Sequence, residues 1–153
     1  MLDVACGSGR HMRWLATHGF VVTGIDRDAA ALATLSTHGR VMVADIEAAA
    51  WPLAGEQFAA VVVTNYLWRP LWPNLRSSLA PGGVLIYETF ALGNEAFGKP
   101  SNPDFLLRPG ELLDACSGLR IVAYEDGVLD APLRRVQRIA AVNAPAESAR
   151  HLL

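Results

Sequence analysis

Short apolar runs alternate with helix-like segments through the first two-thirds of the chain, and this alternation limits the possible folds more than any other feature. It is typical of a parallel sheet whose strands are connected by crossover helices. With 153 residues, 52% of them hydrophobic, the chain is long enough for one compact domain with a sizeable core. The predicted strands are Leu2–Ala5, Phe20–Ile25, Arg40–Ala44, Phe58–Thr64 and Gly83–Phe90.

The segments between these strands predict helices that end at glycines. The first runs from Gly9 to His18 and stops at Gly19, and the second runs from Asp28 to His38 and stops at Gly39. A third starts near Pro70, and a short fourth lies in residues 110–118. Residues 91–109 carry glycines, prolines and asparagines without a sustained period, which predicts a long loop with a functional role.

The last two predicted strands are Leu119–Leu129 and Leu133–Asn143. Because only a short "DAP" segment joins them, we expect them to pair as an antiparallel hairpin. The predicted fold is therefore α/β: a Rossmann-like, doubly wound, mostly parallel seven-stranded sheet in three α/β/α layers, with a C-terminal antiparallel hairpin. Residues 1–143 are predicted to form a single domain, and residues 144–153 a flexible tail.

Charge and cysteine content exclude several classes of protein. The formal net charge of −2 gives no basic excess for a nucleic-acid partner, and Arg134, Arg135 and Arg138 are expected to form a solvated edge. The two cysteines, Cys6 and Cys116, are far apart in sequence and differ in local context, and they make neither a disulfide framework nor a zinc spacing. This predicts no metal site and a reducing, cytoplasmic location. No apolar stretch approaches the about 20 residues that span a bilayer, so no membrane partner is expected.

The segment "LDVACGSGRH" places two glycines between the first strand and the first helix. Gly7 and Gly9 lack a Cβ, which lets the backbone turn sharply and lets a ligand lie against its N–H groups. Asp3, Asp26 and Asp45 are expected at the carboxyl edge of adjacent parallel strands, where open α/β sheets bind ligands. Asp26 follows Gly9 at close to the about 20 residues typical of a carboxylate that binds ribose hydroxyls, which favours an adenosine-containing ligand.

An NAD-dependent oxidoreductase is an alternative that the same turn disfavours. The dinucleotide fingerprint requires a third glycine, and Met12 occupies its place. The sequence also lacks a Gly-x-x-x-x-Gly-Lys-Ser/Thr loop, and Lys99 is the only lysine, which argues against ATP-type phosphate chemistry.

The segment "LDVACGSGRHMRWLATHGFVVTGIDRD" resembles the first nucleotide-binding motif of class I S-adenosylmethionine-dependent methyltransferases. Asp3, Gly7 and Gly9 fill its Asp-x-x-x-Gly-x-Gly pattern. The resemblance continues through "VMVADIE", "VVVTNYLWRPL" and "LAPGGVLIYETF", and extends at the level of the fold to small bacterial methyltransferases, including the tellurite-resistance type. It implies S-adenosylmethionine as cofactor and methyl transfer to an acceptor by in-line displacement.

The same resemblance implies a set of cofactor-binding residues. Asp3 and the glycine turn are expected to hold the methionine portion, and Asp26 the ribose hydroxyls. Asp45 is expected at the adenine, and Asn65 beside the sulfonium. The alternative for the aspartates is a structural role, in which they bond backbone N–H groups or cap the segment that follows. The set is completed by Ala5, Gly7, Gly9, Arg27 and Ile46.

Residues after the fourth and fifth strands are predicted to face the acceptor. Glu88 and Tyr66 are the candidates for a catalytic role. An acidic Glu88 after the apolar "VLIY" is expected to be partly buried with a cationic partner such as Arg69. His11 is expected on a helix surface, and the loop 91–109 is expected to act as the acceptor lid. The predicted acceptor-side set is Tyr66, Trp68, Arg69, Glu88, Thr89 and Phe90.

The acceptor is predicted to be a small molecule. The segment "TNYLWRP" lacks the Asn/Asp-Pro-Pro-Tyr/Phe pattern of methyltransferases that modify adenine or glutamine nitrogen. The alternative function is a non-catalytic domain that binds the cofactor as a sensor or assembly partner. The family usually has a helical segment before the first strand, so we expect an upstream start, an open cofactor cleft, or a partner or second copy in a homodimer that covers it.

Overall fold

The computed structural model describes residues 1–144, and these residues contain seven strands and four α-helices. The predicted tail lies almost entirely outside these residues. The strands are β1 (Leu2–Val4), β2 (Thr23–Asp26), β3 (Arg40–Val43), β4 (Phe58–Thr64), β5 (Leu79–Phe90), β6 (Arg120–Asp130) and β7 (Leu133–Val142). The helices are α1 (Arg10–Thr17), α2 (Ala29–Leu32), α3 (Trp72–Ser77) and α4 (Glu111–Ala115).

The strands form one mixed sheet in the order β3-β2-β1-β4-β5-β7-β6. The first five strands are parallel, β7 pairs antiparallel with β5, and β6 pairs antiparallel with β7. The predicted fold class, including the C-terminal hairpin, is confirmed. The strand order changes direction between β1 and β4, and open α/β sheets bind their ligands at such a switch point.

Side-chain alternation along β1 separates the two faces of the sheet. Leu2 and Val4 belong to the larger core cluster, which also contains Leu75 of α3 and Leu112 of α4. Met12 of α1 belongs to a smaller cluster on the other side. The central strands are therefore covered on both faces by apolar side chains, as a parallel sheet requires.

The second predicted helix, Asp28–His38, is too long, because α2 covers only Ala29–Leu32. Asp28 caps it, its side chain accepting hydrogen bonds from the N–H groups of Ala30 and Ala31. The following residues form turns, and they include Thr34, Ser36 and Thr37. Hydroxyl side chains of this kind compete with the helix for backbone hydrogen bonds, which explains the early end.

Two strand boundaries also differ from the prediction, because pairing with a neighbour decides where a strand begins. β2 starts at Thr23 rather than at Phe20, since its first partner in β1 is Leu2. β5 starts at Leu79 rather than at Gly83, since Leu79 pairs with Phe58 across a register shift. In residues 1–144, no helix has the length and apolar character that crossing a bilayer requires.

Candidate functional site

A cleft of about 660 Å³ lies at the carboxyl ends of the parallel strands. Its volume falls within the range of about 300–1,000 Å³ that is typical of small-molecule sites. The strand ends of β1 to β5 and two residues of the loop 91–109 contribute to it. The lining residues are Ala5, Asp26, Arg27, Asp28, Ala44, Asp45, Ile46, Glu47, Asn65, Tyr66, Leu67, Thr89, Phe90, Pro100 and Phe105.

Two of the lining residues have a left-handed backbone. Ala5 follows β1 with φ 51°, and Asn65 follows β4 with φ 53°; they are the non-glycine residues with positive φ among those described. This conformation is unfavourable for an alanine, which has no polar side chain to stabilise it. Strained backbone of this kind, here at two adjacent strand ends, occurs preferentially at functional sites.

Asp26 joins the glycine turn to the end of β2. One carboxylate oxygen accepts a hydrogen bond from the Gly7 N–H at 2.8 Å, and the other accepts from the Asp28 N–H at 2.9 Å. Gly7 has φ +51°, and a Cβ added to it meets no atom within 4 Å, so its outer side is open. Gly9 is different, because a Cβ there would lie 2.5 Å from the Leu35 side chain. The first glycine leaves room for a ligand, and the second lets the turn pack closely.

Asp3 lies beneath the turn and does not line the cleft. Its residue is 1% exposed, and one carboxylate oxygen accepts a hydrogen bond from the Met12 N–H of α1 at 3.0 Å. Burial raises the pKa of Asp3 to about 6, with a smaller contribution from the charge of Asp26, while the Met12 N–H and the charge of Arg10 oppose the increase. Asp3 therefore connects β1 to α1 directly below the glycine turn.

We expect Asp3→Asn to make the stability of the fold less dependent on pH, because the substitution removes the titrating carboxyl group. The fold should be kept, because the asparagine amide oxygen can still accept the hydrogen bond from the Met12 N–H. Because the pKa of Asp3 rises from 3.8 to about 6 on folding, the folded chain holds the proton more tightly. The free energy of unfolding then falls as the pH rises through this window. Between pH 5 and pH 8 the unmodified chain should lose about 1.4 kcal/mol more than the variant. Urea unfolding at both pH values measures the difference, and equal pH dependence would contradict the prediction.

Asp45 and Tyr66 lie on either side of Glu47. One oxygen of Asp45 accepts from the N–H groups of Glu47 and Ala48, at 3.0 and 3.2 Å, so the aspartate caps the turn after β3. The Tyr66 hydroxyl donates to Glu47 at 3.2 Å, and the Tyr87 hydroxyl donates to the Tyr66 carbonyl at 2.7 Å. Burial, reinforced by the charge of Glu47, raises the pKa of Tyr66. Tyr66 is thus a protonated phenol at the cleft wall.

Glu88 is half-buried and lies outside the cleft lining, and its partner is not Arg69. It pairs with Arg134 at 2.9 Å and with Arg138 at 3.7 Å. Arg134 also donates to the side-chain oxygen of Asn65 at 3.2 Å. The expectation that Arg134 lies on a solvated edge is wrong, because the β7 hairpin strand brings its side chain, 21% exposed, to the end of β5.

Arg69 also lies outside the cleft lining. It forms a two-pronged ion pair with the buried Glu111 of α4, at 2.6 and 3.0 Å. Trp68 packs against the larger core cluster. Of the predicted acceptor-side residues, the cleft therefore brings together Tyr66, Thr89 and Phe90. Sequence reasoning did not identify Pro100, Phe105 or Glu111, since their placement depends on how the long loop packs.

Within residues 1–144, no group of histidine, cysteine, aspartate or glutamate side chains has the arrangement of a metal site. The two cysteines are free thiols. His11 of α1 is partly buried, with its Nδ1 atom 3.3 Å from the Thr64 hydroxyl, and burial lowers its pKa. It does not line the cleft.

Solved structures identify the fold. TehB from Haemophilus influenzae has a TM-score of 0.73 and 20% identity, over 92% of this chain and 57% of TehB. An S-adenosylmethionine-dependent methyltransferase from Mesorhizobium loti has a TM-score of 0.70 and 20% identity, over 92% and 89% of the two chains. The glycopeptide N-methyltransferase MtfA, solved with S-adenosylhomocysteine, has a TM-score of 0.63 and 18% identity, over 92% and 81%. The fold is that of S-adenosylmethionine-dependent methyltransferases, as the sequence resemblance implied.

A family model described as a methyltransferase domain matches residues 1–83, which is more than half of the chain. The chain belongs to this methyltransferase family. No curated protein sequence matches it significantly. The matched segment runs from β1 to the start of β5, so it contains the glycine turn and the strand ends that carry Asp26, Asp45 and Asn65.

Proposed function

We propose that this chain transfers a methyl group from S-adenosylmethionine to a small-molecule acceptor. The observation that carries the proposal is the cleft itself, in which Asp26 and Asp45 stand at neighbouring strand ends beside the open glycine turn. The family match supports methyl transfer. That MtfA, a protein of similar fold, is a glycopeptide N-methyltransferase supports an acceptor other than a nucleic acid.

The residues present fit this cofactor. The open side of Gly7 and the positive φ of Ala5 leave backbone groups of the turn accessible to the methionine portion. We assign the ribose hydroxyls to Asp26, the adenine to Asp45 with the backbone of Ile46, and the neighbourhood of the sulfonium to Asn65. We assign Asp3 to the methionine portion through the turn that it supports. Gly9 belongs to that turn, and Arg27 belongs to the cleft wall next to Asp26.

The chain contributes mainly position and exclusion of water. When bound, S-adenosylmethionine supplies an electrophilic methyl group. In-line displacement at such a carbon depends on holding the acceptor in line and keeping water out. The Tyr66 hydroxyl donates to Glu47 and can still accept a hydrogen bond at the cleft wall. Glu88 is held by two arginines and so acts on the acceptor side through Arg134 and Asn65. We propose that Glu88 has a positioning role.

We also propose that the protein acts in the cytoplasm without a nucleic-acid partner. Cys6 and Cys116 are free thiols, which suits a reducing compartment. The net charge of −2 offers no general attraction to a polyanion. Assembly as a homodimer, or with another chain, is also part of this proposal.

Two measurements test the proposed function. Calorimetric titration with S-adenosylhomocysteine should show binding at a single site, and incubation with methyl-labelled S-adenosylmethionine and a panel of small molecules should produce labelled product. Binding without any transfer would favour the non-catalytic alternative. Absence of binding by a well-folded chain, together with thermal protection by NAD, would favour the oxidoreductase and contradict the proposal.

A further inference from the structure

The two ends of the cleft have different chemistry. The end formed by β2 and β3 carries charged side chains. The lining residues from β4, β5 and the loop 91–109 carry no charge and are mostly apolar or aromatic, and we call this the apolar end. If the charged end holds the cofactor, as proposed above, the apolar end faces the acceptor. The charged residues are Asp26, Arg27, Asp28, Asp45 and Glu47, and the apolar end contains Tyr66, Leu67, Phe90, Pro100 and Phe105 together with the uncharged polar residues Asn65 and Thr89.

The loop 91–109 forms one wall of the apolar end through Pro100 and Phe105, and hydrogen bonds hold this loop wall in place near both residues. Asn94, only 2% exposed, donates to the Pro100 carbonyl at 3.1 Å and accepts from the backbone of β7 at 3.0 Å. Arg69 donates to the carbonyls of Asp104 and Leu106, at 2.7 and 2.9 Å, on either side of Phe105. The wall is therefore preorganised, which reduces the entropy that binding must spend on ordering it.

The charges next to the apolar end compensate one another. The Arg134 guanidinium lies 5.9 Å from the centre of the Phe90 ring and is bonded to Glu88 and Asn65. Glu88 also faces Arg138, which is paired in addition with Glu125, so two carboxylates balance the two arginines. A charged acceptor placed here would lose its water without gaining a free opposite charge, which is costly. An uncharged ring would instead gain aromatic contacts.

We propose that the acceptor is a neutral, ring-bearing small molecule, and that Phe105 and Phe90 form the slot that receives its ring. This inference rests on the proposed function, because that function assigns the charged end to the cofactor. Phe105 is then a specificity-determining residue. Its position is set by Arg69 through the two carbonyls that flank it.

The test uses three probes of similar size: indole, benzoate and benzylamine. Each is titrated into the chain saturated with S-adenosylhomocysteine, and binding is followed by NMR chemical shifts. We expect indole to bind about 10-fold more tightly than either ion. Equal or tighter binding of benzoate or benzylamine would overturn the proposal, and so would the absence of indole binding in a chain that binds S-adenosylhomocysteine.

Two variants locate the slot. Phe105→Ala should weaken indole binding by about 5- to 20-fold. Phe97→Ala is the matched control, because Phe97 lies on the same loop with similar exposure, 41% against 49%, but outside the cleft lining. Equal effects of the two substitutions would overturn the slot. If S-adenosylhomocysteine does not bind but Phe105→Ala still weakens indole binding, the proposed function is rejected while the slot is retained.

Discussion

Asp26→Ala is expected to weaken binding of S-adenosylhomocysteine by about 100- to 1,000-fold, the largest effect on binding that the structure predicts. The carboxylate lines the cleft and also accepts hydrogen bonds from Gly7 and Asp28. Its removal takes away the proposed acceptor for the ribose hydroxyls and releases the glycine turn from the end of β2. Charge-assisted hydrogen bonds contribute about 1.5–3 kcal/mol each, and two of them near the lower end of this range account for the expected loss.

Asp28→Ala is the control for this substitution. Asp28 lines the same cleft two residues later, but its side chain caps α2. Loss of that cap should cost about 1 kcal/mol of stability and change the affinity far less. Calorimetry on both variants, after circular dichroism has shown that they are folded, gives the comparison. Unchanged affinity in Asp26→Ala would contradict the assignment of the ribose to this carboxylate.

The positions of the cleft carboxylates could be predicted because they depend on local sequence. Each follows a short apolar run, and the carboxyl ends of parallel strands share one edge of a sheet. Asp26 and Asp45 accordingly meet in one cleft. Glycine spacing likewise predicts the turn after β1, since the positive φ of Gly7 and Gly9 depends on the absence of a Cβ.

The partners of charged residues could not be predicted in the same way. The register in which β7 pairs with β5 places Arg138 opposite Glu88 and brings Arg134 within reach of it, and the sequence does not specify that register. Several arginines are equally plausible partners until the strands are paired. Arg69 meets Glu111 instead, beside the end of the long loop, where it also donates to the carbonyls of Asp104 and Leu106.

The packing of the loop 91–109 could not be predicted from the sequence either. Its composition predicts an irregular, functional segment, but not that Asn94 and Arg69 hold it through backbone carbonyls. Carbonyl groups are present at every residue and therefore leave no pattern in a sequence. Its two lining residues, Pro100 and Phe105, become recognisable only once these hydrogen bonds are seen.

Arg69→Ala is expected to lower the free energy of unfolding by about 3 kcal/mol at neutral pH. Glu111 is 7% exposed at its side chain, and Arg69 satisfies both of its oxygens. Burial alone would raise the pKa of Glu111, but the hydrogen bonds from Arg69 and Arg108 outweigh it and hold the pKa below its ordinary value of 4.5. Removing the guanidinium leaves a buried carboxylate with only the Arg108 contacts.

The pH dependence of this loss distinguishes a charge effect from a packing effect. A carboxylate whose pKa is lowered by folding stabilises the fold above pH 4.5 and loses that contribution as the pH falls through its folded pKa. In the variant, Glu111 can instead take up a proton, so the difference between the two proteins should shrink in acid. Urea unfolding at pH 7 and pH 4 measures it, and an unchanged difference would indicate lost packing alone.

Arg40→Ala is the matched control, because Arg40 and Glu56 form an ion pair of similar length, 2.7 Å, with both side chains exposed, 50% and 41%. Exposed pairs contribute about 0.2–1 kcal/mol. The two arginine substitutions therefore differ in the burial of the carboxylate left behind. If both cost the same, the Arg69–Glu111 pair would not be what holds the long loop and α4 together, and the fixed wall beside Phe105 would need another explanation. If only Arg69→Ala is costly, the wall depends on an ion pair that lies outside the cleft.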